Sequence, residues 1–144
     1  MEKETLKNIF NFLEEKEGKK SKHKYGLKWK LTFNEPLNKE YLNVKGNLDL
    51  KYSEITSLPE GLKVGGWMSL GSSKIESLPE GLEVGGDFNL MYTELNSLPK
   101  GLKVGGILYI YESPLKEYTD EELREMVKPG FLKGDIYRGW IKKH

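Results

Sequence analysis

The side chains that most often carry catalysis are thinly spread through these 144 residues. There is no cysteine, which removes thiolate nucleophiles, cysteine metal sites and disulfides together and fits a reducing compartment. The two histidines, His23 and His144, lie far apart, and neither stands in a triad or in metal-ligand spacing. Asp49, Asp87, Asp120 and Asp135 share no ligand spacing either. The string "GKKS" at 18–21 lacks the glycine-rich phosphate loop that would have to precede it. The expectation is a protein with no catalytic residue, no cofactor and no metal.

The chemistry that remains is recognition, and it has two candidate sources. One is a set of aromatic and polar residues, Tyr52, Trp67, Asp87, Asn89, Met91, Tyr92, Tyr109 and Tyr111; Trp and Tyr anchor many protein interfaces because they bury a large area at little entropic cost. The other is a run of lysines, Lys19, Lys20, Lys22, Lys24, Lys28 and Lys30, beside Trp29. Basic residues next to an aromatic strand are the pattern that meets nucleic-acid phosphate. Glu14, Glu15 and Glu17 cancel part of that local field, and 23 Lys and Arg against 22 Asp and Glu leave a net charge of +1. No global pull towards nucleic acid or an anionic membrane follows from such a balance.

What positions the first set is a repeat. "SLPEGLKVGG" at 57–66 returns as "SLPEGLEVGG" at 77–86 and "SLPKGLKVGG" at 97–106, a strict period of twenty. A period of this length means a solenoid. Apolar residues two apart, such as Leu48 and Leu50, Met68 and Leu70, Phe88 and Leu90, and Leu108 and Ile110, predict a strand with one inward face. The later aliphatics Ile55, Leu58, Ile75, Leu78, Leu95, Leu98 and Leu115 turn into the same core, and at Tyr118 the pattern is expected to end. Each coil buries about five such side chains at roughly 1.5–3 kcal/mol apiece, but only against a neighbouring coil. The glycine pairs 65/66, 85/86 and 105/106 are expected to supply positive φ or a close backbone approach.

The spacing Leu-x-Leu-x-x-(Ser/Thr)-x-(Ile/Leu)-x-x-Leu-Pro over residues 42–118 resembles the shortest, LPX-type leucine-rich repeats of bacterial effectors and short repeat proteins of bacteria and phages. The resemblance implies a parallel sheet on a concave face and a module that binds other proteins, for example an adaptor or an inhibitor. Effector relatives often carry a cysteine-dependent ubiquitin ligase, which a chain without cysteine does not share. The usual asparagine after the strand is here Ser53, Ser73, Thr93 or Ser113. A ladder of hydroxyls is expected in its place, satisfying fewer backbone groups than amides would.

The expected fold class is therefore α+β: a leucine-rich-repeat solenoid with a parallel sheet, in a single domain of three parts. Residues 1–41 hold a capping helix over 4–17 with Leu6, Ile9, Phe10 and Leu13 at helical spacing, then the lysine loop and a strand over 27–33. Residues 42–118 are the repeats. Residues 119–144 form a cap, in which Thr119 and Glu122 make a capping box and Pro129-Gly130 closes the helix. A strand-like tail with Phe131, Ile136, Tyr137 and Trp140 is expected to return over the last solenoid strand, the alternative being that it presents that edge and its aromatics to another chain.

Odd-numbered strand positions should face outward, and the non-repeating residues concentrate there. That makes the aromatic set the leading candidate for binding another protein, although aromatics also favour strands and stack across sheets for structural reasons. Four five-residue strands present about 350 Å², against about 800 Å² per partner in a stable interface, so flanking segments or a second copy of the chain must complete the surface. Nucleic-acid binding through the lysine segment is the alternative, and homo-oligomerisation through an open strand edge is a third reading. The N-terminal stretch has neither the apolar core of a signal peptide nor the length of a membrane span, so the expected setting is the cytoplasm without a membrane partner.

Overall fold

The computed structural model describes residues 42–139, and those from Asn43 onward belong to one compact unit, Asn43–His144. The expected helix over 4–17, the six lysines from Lys19 to Lys30, the strand over 27–33 and Trp140 lie outside the described residues.

Each coil is built around a bend in an alternating strand. In the second coil Leu62, Val64, Met68 and Leu70 are all buried, an inward alternation that runs through the glycine pair Gly65-Gly66. The corner at the glycines divides the run into two short strands. The expectation of one sheet is corrected here: there are two parallel sheets of five strands, because the chain turns at each glycine pair and, in the first and last coils, at Gly46 and Gly134. One sheet orders β1 (Asn43–Val44), β3 (Lys63–Val64), β5 (Glu83–Val84), β7 (Lys103–Val104) and β9 (Phe131–Leu132). The other orders β2 (Leu48–Asp49), β4 (Met68–Ser69), β6 (Phe88–Asn89), β8 (Leu108–Tyr109) and β10 (Ile136–Tyr137).

The register repeats the sequence period, with Val44 opposite Val64, Val64 opposite Val84 and Val84 opposite Val104. Backbone bonds continue beyond the paired residues: Leu50, Leu70 and Leu90 donate to the carbonyls of Ser69, Asn89 and Tyr109, each at 2.8 Å. Like residues thus stack on like, and the core is a set of columns, among them Leu62, Leu82 and Leu102, and Leu48, Met68, Phe88 and Leu108.

The glycines divide their work. At the corner they serve close approach, since a Cβ on Gly85 would lie 2.3 Å from the Gly65 carbonyl oxygen and one on Gly105 would lie 2.2 Å from that of Gly85. Positive φ belongs to Gly61, Gly81 and Gly101, at 86°, 78° and 81°, in the turn after the proline. A second column of positive φ is occupied by residues other than glycine, Tyr52, Ser72, Tyr92 and Glu112, at 54° to 62°. They sit at the tight turn that leaves the second sheet, where Ser53, Ser73 and Ser113 N–H donate to Leu50, Leu70 and Ile110 O.

The hydroxyl column does not form the expected ladder between coils. Thr93 Oγ1 donates to Leu90 O at 2.8 Å and Ser113 Oγ to Ile110 O at 2.9 Å, each within its own turn. Ser73 Oγ accepts from Ile75 N–H at 3.4 Å, and Ser53 Oγ is buried without a partner. A hydroxyl is too short to reach the next coil, so it closes the turn it belongs to.

The repeat does not end at Tyr118. After a 3-10 turn, Pro114–Glu117, and the helix α1, Asp120–Val127, the chain adds a fifth coil, in which Val104 faces Leu132 and Leu108 faces Ile136. The coil step lengthens from twenty to twenty-eight residues to hold α1. Thr119 and Glu122 form the expected capping box at 3.1 and 2.9 Å, an arrangement worth about 1 kcal/mol at a helix start. Leu123 and Val127 bury the apolar side of α1. Arg124 donates to the carbonyls of Leu132 (3.3 Å) and Gly134 (2.9 Å), and Arg138 bonds Asp120 and the Tyr118 carbonyl. The two arginines of the chain thereby tie α1 to the coil that follows it.

Candidate functional site

The outward face of the second sheet carries the sequence-predicted residues, and the coil stacking sorts them into three groups. Trp67, Asp87, Asn89, Met91 and Tyr109 line one concavity of about 310 Å³, together with Lys51, Met68 and Ser69. Tyr92 and Tyr111 meet edge to face at 5.5 Å, and Tyr111 packs over Gly139, whose φ of 98° and missing Cβ admit the ring. Tyr52 stands apart at 73 % exposure.

Backbone needs explain part of this polar composition. Asn47 Oδ1 accepts from Trp67 N–H at 2.9 Å, and forty residues on Asp87 Oδ1 accepts from Ile107 N–H at 2.8 Å. In the neighbouring column Asp49, Ser69 and Asn89 each accept from the N–H two residues ahead, at 3.2, 3.3 and 2.8 Å. These are side-chain-closed turns of the kind Asp, Asn and Ser favour, and they hold the backbone just before the positive-φ residues. Asp87 and Asn89 therefore brace the frame as well as lining the concavity.

The apolar side of the site is Trp67, 41 % exposed, with Met91 and Tyr109. Tyr109 is held from its other side by Tyr137, with ring centroids 5.4 Å apart. Sequence reasoning missed Tyr137 as a support; its signal was "GDIY" at 134–137, which repeats "GILY" at 106–109 with two changes. Lys51 is engaged locally, its Nζ 3.3 Å from Asp49 Oδ2. Loss of hydration, then the neighbouring Tyr111 and Glu112, hold the Tyr92 phenol above its ordinary pKa.

The outward face of the first sheet bears a groove of about 420 Å³ lined by Lys63, Glu83, Lys103, Phe131 and Lys133 among others. Lys63 and Glu83 approach to 3.8 Å, and Lys133 lies over the Phe131 ring at 5.9 Å. Three lysines against one glutamate leave the groove with a net positive lining.

Among the described residues no group of three or more His, Cys, Asp or Glu side chains could hold a metal ion, and no helix is long and apolar enough to cross a membrane. The twenty-residue parallel solenoid is compatible with a short repeat family, and the leucine-rich likeness stays a resemblance of spacing. No family model matches the chain, and no curated protein or solved structure is significantly similar to it.

Proposed function

We propose that the protein is a non-catalytic binding module whose outward second-sheet face receives another protein. The observation that carries this reading is the concavity walled by Trp67, Met91 and Tyr109: large apolar side chains held outward, on a frame that buries its own core without them. An indole that is 41 % exposed gains free energy by being covered, on the order of 25 cal/mol per Å² of apolar surface. The volume of about 310 Å³ lies at the small end of ligand-binding clefts, which suits one or two anchoring side chains of a partner better than a whole cofactor. The resemblance to leucine-rich repeats, in which this would be the concave side, supports the same assignment.

The test is capture from lysate of the native organism with wild-type protein beside a Trp67→Ala/Met91→Ala variant. These two positions are chosen because the Asn47 bond uses the Trp67 backbone and the Asn89 bond the Met91 backbone, so both survive truncation. Tyr109 and Tyr92 are left alone because their rings support Tyr137 and Tyr111. A protein retained by wild type and lost by the variant is expected. The same captured set with both would remove this face from consideration.

A further inference from the structure

We infer that the side chain received in this concavity is an arginine of the partner protein; the inference rests on the binding role proposed for this face. It starts from a charge the frame does not require. At one position of the coil, Asn47 and Asp87 perform the same task, accepting the N–H of the residue twenty ahead at 2.9 and 2.8 Å. An amide oxygen is sufficient for that bond, as Asn47 shows. The negative charge of Asp87 is therefore surplus to the fold.

It is also uncompensated among the described residues. Lys51 lines the same concavity, but it is held by Asp49 through both its Nζ and its backbone N–H. The Asp49–Lys51 pair is neutral as a unit, which leaves the site with the charge of Asp87. Trp67 occupies the equivalent position one coil before Asp87, so the two residues are neighbours along the stack, one strand spacing of about 4.8 Å apart at the backbone. Tyr109 and Met91 complete the wall.

A carboxylate, an exposed indole and a phenol lining one concavity from successive coils suit a cation that is flat, delocalised and weakly hydrated. A guanidinium meets all three terms: it stacks on aromatic faces, it donates to a carboxylate, and it sheds water more readily than an ammonium. One oxygen of Asp87 stays with Ile107, and Oδ2 remains to accept from the guanidinium. Trp67 supplies the stacking surface.

The probe is the blocked tripeptide acetyl-Gly-Arg-Gly-amide, followed by the NMR shifts of the Trp67 indole N–H and the Met91 methyl group. Acetyl-Gly-citrulline-Gly-amide, nearly the same shape without charge, serves as control. A saturable shift with the arginine peptide is expected, weakened about tenfold in Asp87→Asn and abolished in Trp67→Ala. Asp87→Asn keeps an acceptor for Ile107 N–H, so its thermal midpoint should match wild type and exclude misfolding as the cause. No shift at about 20 mM peptide, well above a millimolar Kd, equal shifts with citrulline, or full binding by Asp87→Asn would each overturn the inference. If those results came with Trp67-dependent capture of a protein, the arginine assignment alone would fail and the binding role would stand.

Discussion

Four consecutive coils place Tyr52, Ser72, Tyr92 and Glu112 in the left-handed region, where an L side chain costs roughly 1–2 kcal/mol. The turn demands that conformation because the chain must leave the second sheet within two residues and return its next hydroxyl to the carbonyl side. Ser72 is the cleanest place to measure the strain, being exposed. Ser72→Gly should raise stability by about 0.5–1 kcal/mol, the relief of strain less the entropy glycine loses on folding; urea denaturation reads it, and a loss of stability would show that the turn is not strained. The same scale explains why the candidate site was only partly legible. That Trp67, Met91 and Tyr109 face outward follows from strand alternation. That Asp87 also accepts a backbone hydrogen bond does not, because the acceptor and donor belong to different coils.

At the scale of the element, the corner is the decisive feature. A glycine pair in a strand pattern reads equally well as a source of positive φ or as a place of close approach, and only the neighbouring coil distinguishes them. The carbonyl of one corner sits where the Cβ of the next would be, so Gly85→Ala should destabilise the fold by about 1–3 kcal/mol, as overpacking does. Gly46 has open space around its missing Cβ, and Gly46→Ala should fall within about 0.5 kcal/mol of wild type, as surface changes do. Thermal melts of the two variants check the contrast, and equal effects would refute the close-approach account. The hydroxyl column teaches a related lesson: its burial was legible from its place in the repeat, but the reach of a serine set its bonds within one turn.

Among the described residues coils are added by a rule that is broken once. Inserting α1 lengthens one step, after which Phe131–Leu132 and Ile136–Tyr137 resume both sheets. The solenoid tolerates this because the extra residues leave between the stacked strands and return to the same columns. Arg124 holds that excursion through two carbonyls of the fifth coil. Arg124→Ala should cost about 1–3 kcal/mol, with faster amide hydrogen exchange in β9 and β10 than in β3 to β6. Uniform acceleration across all coils would mean that the fifth coil is not separately anchored by this residue.

The period of twenty, the inward columns, the capping box of α1 and the outward placement of the aromatics were determined by the sequence, since each follows from spacing along one stretch of chain. The division into two sheets, the role of each glycine, the return of the fifth coil and the assembly of Trp67, Asp87 and Tyr109 around one concavity were decided by the tertiary structure. The physical reason is common to all four. Each depends on what the next coil places a strand spacing away, and that neighbour is twenty or twenty-eight residues distant in the chain.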